Sequence, residues 1–111
     1  MRMKLQAPRL DRLRGMLGLA MRAGKVVIGT EQVFSALGRG RLHLVLVSEG
    51  ASDASRKRIT VKCEFYGVLA IETELSCEEL GRVLGKTYGP ACVGISDEGL
   101  ARTVGELAAR S

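Results

Sequence analysis

Aromatic residues are scarce: the chain has only two Phe and two Tyr. That excludes a sheet surface of the RRM or OB type, which stacks bases on several rings. Histidine occurs once, as His43, and the three cysteines (Cys63, Cys77 and Cys92) lie 14 and 15 residues apart with no Cys-x-x-Cys. No zinc or other metal site is expected from that spacing. An odd cysteine count in an intracellular chain points to reduced, buried thiols. No run approaches the ~18–20 apolar residues of a membrane helix. The segment from Met1 to Arg14 is basic but lacks the apolar centre of a signal peptide. A cytoplasmic protein with no membrane contact is therefore expected. Ser/His/Asp, Cys/His and paired-carboxylate groupings are missing, as is a Gly-x-x-x-x-Gly-Lys phosphate loop, so neither catalysis nor a cofactor is expected.

What is present is a chain of 111 residues, 46% hydrophobic and 26% charged, with a net charge of +5. These values suit one domain over residues 1–111. The charge is unevenly placed. Residues 1–25 carry seven Lys/Arg against Asp11 alone, a net +6, while residues 26–111 carry ten against eleven acids, a net −1. A basic arm over residues 1–9, continuing through Arg12 and Arg14, would attract a phosphate backbone. Charge alone also describes an ordinary basic surface.

Apolar spacing at Leu10, Leu13, Leu17, Ala20 and Met21 predicts a first helix from about Pro8 to Ala23, stopped by Gly24. Val26–Ile28 reads as a short strand and Thr30–Leu37 as a second helix. The nearly continuous apolar run Leu42–Val47 reads as a central strand covered on both faces, with His43 packed inside it. Ser52 or Asp53 caps a third helix that reaches Phe65 or Tyr66 and ends at Gly67. Val68–Ile71 is the next strand. Ser76-Cys77-Glu78-Glu79 has capping-box form and opens a fourth helix closed by Gly85. Cys92–Ile95 is the last strand, and Asp97 caps a fifth helix. Cys63 and Cys77 fall at inward helical positions. Strands alternating with helices predict an α/β protein, a three-layer α-β-α sandwich with a small mixed four-stranded sheet and helices on both faces.

The second helix carries the strongest functional signal. Val33, Phe34 and Leu37 share one face, and Glu31, Gln32 and Ser35 share the other. Polar side chains thus project from a helix N-terminus with free backbone N–H donors. On these residues alone, an ordinary capped surface helix is the better explanation of the pattern.

Four stretches resemble the L-seven-Ae family of kink-turn RNA-binding ribosomal proteins, and within it a short bacterial YlxQ-like branch. They are Leu17-Gly18-Leu19-Ala20-Met21-Arg22-Ala23-Gly24-Lys25, Ile28-Gly29-Thr30-Glu31-Gln32, Lys62-Cys63-Glu64-Phe65-Tyr66 and Glu79-Leu80-Gly81-Arg82-Val83-Leu84-Gly85-Lys86. The resemblance implies a non-catalytic RNA-binding protein of the ribosome. Its partner would be rRNA or another RNA containing a kink-turn. It also implies a site built from two loops. The first is Gly29-Thr30-Glu31-Gln32 with Ser35, where family members contact sheared G·A pairs. The second is Lys86-Thr87-Tyr88-Gly89-Pro90-Ala91, where an apolar loop covers a flipped-out nucleotide. The end of the long strand, Ser48-Glu49-Gly50-Ala51, lies near both, and Lys25 and Arg39 are candidate phosphate contacts.

This chain departs from the family pattern in both loops. In the second, Pro90 and the larger Tyr88 stand where residues are often small and β-branched or Ala-rich. In the first there are three departures. The family's Asn is Glu31, its Glu is Gln32, and a frequent Lys is Ser35. A carboxylate near phosphates is unfavourable, whereas Gln keeps an acceptor and adds a donor. The alternative expectation is a protein-interaction module of the ribosome or transcription–translation factors on the same fold. Arg56-Lys57-Arg58 reads as a solvated helix face away from the RNA site.

Overall fold

A computed structural model describes residues 2–109, with side chains from residue 8 onward. The elements run α1 (Arg2–Arg22), β1 (Val26–Ile28), α2 (Thr30–Gly38), β2 (Leu44–Val47), α3 (Asp53–Tyr66), β3 (Leu69–Glu72), α4 (Cys77–Val83), β4 (Cys92–Ile95) and α5 (Glu98–Ala108). The sheet order is β1-β4-β2-β3. Strands β2 and β3 are parallel, joined by the α3 crossover, while β4 runs antiparallel to both β1 and β2.

The two middle strands are buried along their whole length. Alternation sends Leu44, Leu46, Val93 and Ile95 into one core with Leu13, Leu17, Leu80 and Val104. It sends Val45, Val47 and Cys92 to the other face, with Val33, Leu37, Ile59 and Cys63. Helices α1, α4 and α5 therefore cover one face and α2 and α3 the other, which is the three-layer sandwich expected. Each fully buried Leu, Ile or Val contributes ~1.5–3 kcal/mol through removal of apolar surface from water.

Helix boundaries follow the capping chemistry. Ser52, Ser76 and Asp97 each accept a hydrogen bond from the backbone N–H three residues on. Gly24, Gly67 and Gly85, read as stops, all have positive φ.

The first helix begins at Arg2 rather than near Pro8. The expected arm over residues 1–9 is thus helical from Arg2 on, while Met1 and the side chains of Arg2 and Lys4 lie outside the described residues. Downstream of Pro8 the helix is held to the rest of the chain. The Arg9 guanidinium pairs with the Glu74 carboxylate and donates to the Leu107 carbonyl at 2.7 Å. Arg14 binds Asp11 and Glu79 at 2.9 and 3.1 Å. Two of the arginines expected to attract phosphate are in this way occupied by carboxylates.

Strand β2 starts at Leu44, two residues later than expected, and His43 is exposed rather than packed. Its backbone N–H bonds the Ile95 carbonyl at 2.9 Å, but its side chain opens onto a shallow cleft beside Leu69 and Glu98. Cys63 is in the core as expected, and burial pushes its thiol up to about 11. Cys77 is not: as the first residue of α4 it is only half-buried and joins neither core.

Glu79 joins two layers of contacts. It accepts from the Ser76 N–H at 3.1 Å as the return arm of the capping box, and from Arg14 at 3.1 Å across to α1. The Ser76 backbone hydrogen bond, helped by Arg14, holds its carboxyl below the usual value of 4.5. A carboxyl depressed on folding adds stability above its unfolded pKa and loses it as pH falls through the folded value. Urea unfolding of Glu79→Gln is therefore expected to show a shallower loss of stability below about pH 4.5 than the parent chain. Parallel acid limbs for the two proteins would remove Glu79 from that role.

Candidate nucleic-acid interface

Three connections meet at one end of the sheet. Strand β1 leads into α2 there, β2 leads into residues 48–51, and residues 86–91 lead into β4. The pairing requires it, because Ile28 and Val47 lie opposite Val93 and Cys92.

The entry to α2 is fixed by backbone. Gly29 donates to the Cys92 carbonyl at 3.0 Å and adopts φ 96° and ψ 153°, a region that a side chain would strain. As N-cap, Gly29 offers no side chain to the first turn. The leading N–H groups of α2 thus remain donors at the positive end of the helix dipole. Val33, Ala36 and Leu37 are buried, while Glu31, Gln32 and Ser35 are exposed, as the helical spacing requires. Phe34 packs, as expected, against the same core as Val33 and Leu37, but from its rim. It sits half-buried at the edge of α2, with the Arg58 guanidinium and Lys62 ammonium 5.3 and 5.4 Å from its ring centre. Thr30 accepts a long 3.9 Å contact from the Cys92 thiol, which burial pushes up to about 11 and so keeps protonated at neutral pH.

The loop from Lys86 to Ala91 is clamped from two sides. The buried Ser48 hydroxyl donates to the Pro90 carbonyl at 2.6 Å, and the Ser48 N–H donates to the Ala91 carbonyl at 2.8 Å. On the other side the loop lies against α4. A Cβ on Gly81 would sit 2.1 Å from the Tyr88 carbonyl oxygen, and one on Gly89 would sit 2.7 Å from the Cys77 backbone. Only glycine permits these approaches. The end of α4 is equally defined: the Gly85 N–H bonds Arg82 and the Lys86 N–H bonds Gly81, a Schellman closure that projects Lys86 into the loop. Pro90 is buried and Ala91 half-buried, so the apolar end of the loop packs inward. Lys86, Thr87 and Tyr88 stand in solvent, and Tyr88 is 57% exposed. A cleft of about 200 Å³ opens between this loop and α4, lined by Glu78, Arg82, Lys86, Thr87, Tyr88 and Gly89.

The structure thus gathers Gly29, Thr30, Glu31, Gln32, Ser35, Glu49, Lys86, Thr87, Tyr88, Gly89, Pro90 and Ala91 at one end of the molecule. It does not bring Lys25 there. Lys25 precedes β1 at the opposite end of the sheet, ~10 Å of strand away, where its carbonyl accepts from Ser96. Arg39 caps the far end of α2, ~15 Å of helix from Gly29. Sequence reasoning missed Arg82, which is exposed on the last turn of α4 beside Lys86. It also missed Ser48 as the buried hydroxyl that anchors the loop. Arg82 had no signal of its own; for Ser48, a lone hydroxyl at the end of an apolar strand was the available clue.

Chemically, this end offers backbone donors, one amide side chain, two cations and an exposed phenol, with Glu31, Glu49 and Glu78 as opposing charges. Among the described residues no cluster of His, Cys, Asp or Glu could hold a metal, and no helix is long and apolar enough to cross a membrane.

Comparison with known proteins agrees with this architecture. The RNA-binding protein YlxQ of Bacillus subtilis (strain 168) is 41% identical over 86 residues, covering 78% of this chain and 84% of its own length. That of Enterococcus faecium is 34% identical, covering 83% and 86%. Among solved structures, a Bacillus halodurans C protein of unknown function superposes with a TM-score of 0.80 at 31% identity, covering 86% of this chain and 95% of its own. The 15.5kD RNA binding protein of Giardia lamblia shares the fold, with a TM-score of 0.68 at 18% identity and coverage of 97% and 86%. Residues 11–104 match the sequence profile of the ribosomal protein L7Ae/L30e/S12e/Gadd45 family, and the chain belongs to that family.

Proposed function

We propose that this protein binds structured RNA, of the kink-turn kind, as part of a ribonucleoprotein such as the ribosome. The observation that supports this most is the convergence of the uncapped α2 N-terminus and the Gly81/Gly89-clamped Tyr88 loop at one sheet end. Fixed backbone donors and one exposed aromatic on a clamped loop suit a nucleic acid whose kink exposes base edges and an unstacked base. The donors of Gly29–Gln32 meet base edges and sugar–phosphate oxygens, Tyr88 stacks on the unpaired base, and Lys86 and Arg82 meet phosphates. Membership in a family with RNA-binding relatives supports the same reading.

The departures at Glu31 and Ser35 shape the expected affinity. Glu31 adds a carboxylate at an exposed first-turn position, and Ser35 contributes no charge one turn on. Shape and stacking must then supply more of the binding than phosphate attraction, so salt dependence is expected to be modest. Two engaged cations give a slope of about −2 in log affinity against log salt.

A gel-shift titration against a kink-turn RNA and a straight duplex of equal length, at two salt concentrations, tests the proposal. The kink-turn is expected to bind at least ~10-fold more tightly than the duplex at both concentrations. Equal affinities that fall together with salt would reduce the interaction to charge attraction.

A further inference from the structure

One face of the molecule plays no part in the proposed RNA site yet is not an ordinary solvated surface. Along α3, Ala54, Lys57, Arg58, Val61, Lys62 and Phe65 recur at spacings of three and four residues, so they form one stripe. All six are exposed, Val61 at 56% and Phe65 at 79%. Phe34 of α2 forms the facing wall of a groove of about 540 Å³. Its floor is apolar and its rim carries three cations and no acid.

The cations on this stripe differ from their neighbour. Arg56, one position off it, is held by Glu72 at 2.6 Å, Asp53 at 3.1 Å and the Ala51 carbonyl. No ion pair reaches Lys57, Arg58 or Lys62 among the described residues; Arg58 and Lys62 rest over the Phe34 ring instead. Their stems extend the apolar surface and their charges stand at its margin. At the far end Phe65 packs edge-on to Tyr66 with ring centres 4.9 Å apart, leaving one aromatic ring almost wholly in water.

We propose that this groove is a docking site for an acidic amphipathic helix of a protein partner. Charge complementarity selects acids for the rim, because no ion pair among the described residues engages the three cations. The apolar floor selects Leu- or Phe-like side chains at i, i+3 or i+4, and i+7, the usual manner of a helix in a groove. The stripe from Ala54 to Phe65 spans ~17 Å, the length of a helix of about eleven residues. RNA is the less suitable occupant: phosphates would use the cations but leave Val61, Phe65 and the Phe34 wall uncovered.

The test uses the full chain and a fluorescent synthetic helix of about twelve residues, with Leu on one face and Glu on its flanks. A scramble of the same composition, a poly-glutamate of equal length and a single-stranded RNA serve as comparators. The amphipathic peptide is expected to bind at least ~10-fold more tightly than the scramble and poly-glutamate. Arg58→Glu with Lys62→Glu, and separately Val61→Asp, are expected to weaken it ~10-fold or more, whereas Gln32→Ala leaves it unchanged. These positions are exposed, and circular dichroism verifies that each variant is folded. Amide shifts on binding are expected along residues 54–65 and at Phe34. Equal binding of the scramble or poly-glutamate, insensitivity to the α3 variants, or stronger binding of the single-stranded RNA with the same sensitivity would each overturn the proposal.

Discussion

Gly81→Val is expected to lower stability and RNA affinity together. The new Cβ would sit 2.1 Å from the Tyr88 carbonyl oxygen, and the obstacle is backbone rather than a side chain free to rotate. The loop must withdraw by more than 1 Å to reach ordinary contact distance. Overpacking of this kind costs about 1–3 kcal/mol. At ~4–8 °C per kcal/mol for a chain of this size, the unfolding midpoint falls by ~4–24 °C. Gly15→Ala provides the opposite sign in the same protein. Nothing lies within 4 Å of a Cβ at that exposed α1 position, so Ala gains up to ~1 kcal/mol of helix propensity. Because Tyr88 moves with the loop, Gly81→Val is also expected to reduce kink-turn affinity at temperatures where it remains folded. A lowered midpoint with unchanged affinity would mean that the loop's position is structural only.

The second large effect is on binding. Gln32 and Tyr88 project from different elements of the same sheet end. Loss of a stacked base costs about 1–3 kcal/mol, and loss of a hydrogen-bonding amide about 0.5–1.5 kcal/mol. Gln32→Ala with Tyr88→Ala is therefore expected to weaken kink-turn binding by ~10-fold at the least and ~2,000-fold at the most. Duplex binding, which depends on phosphates, should change little. Calorimetric titration of both single variants and the double variant checks this. Affinity unchanged in the double variant would place recognition elsewhere.

The architecture was readable from the chain because local signals and burial agree. The stop glycines, the three side-chain caps and the apolar runs at Leu42–Val47 and Cys92–Ile95 all act within a few residues, and each recurs in the structure, the first run as a strand from Leu44. Where the sequence misled, the deciding contact was distant. His43 looked buried because apolar residues flank it, but strand pairing begins only at Leu44. Arg9 and Arg14 looked free because Glu74 and Glu79 lie 65 residues away in sequence. The composition of the candidate site was legible only through resemblance, since Glu31, Gln32 and Ser35 also describe any polar helix face. The Gly81–Tyr88 and Gly89–Cys77 approaches were not legible at all. A glycine within a short helix signals weak propensity, and its use as a seat for another backbone depends on tertiary packing.

The most direct measurement is a map of backbone amide shifts on the intact chain as a kink-turn RNA is added. If the α2 entry and the Tyr88 loop form the RNA site, the largest changes fall at Gly29–Gln32, Glu49 and Lys86–Ala91, with little change along residues 54–65. Changes concentrated on α1, or on the α3 stripe with Gly29–Gln32 and Tyr88 silent, would contradict that placement.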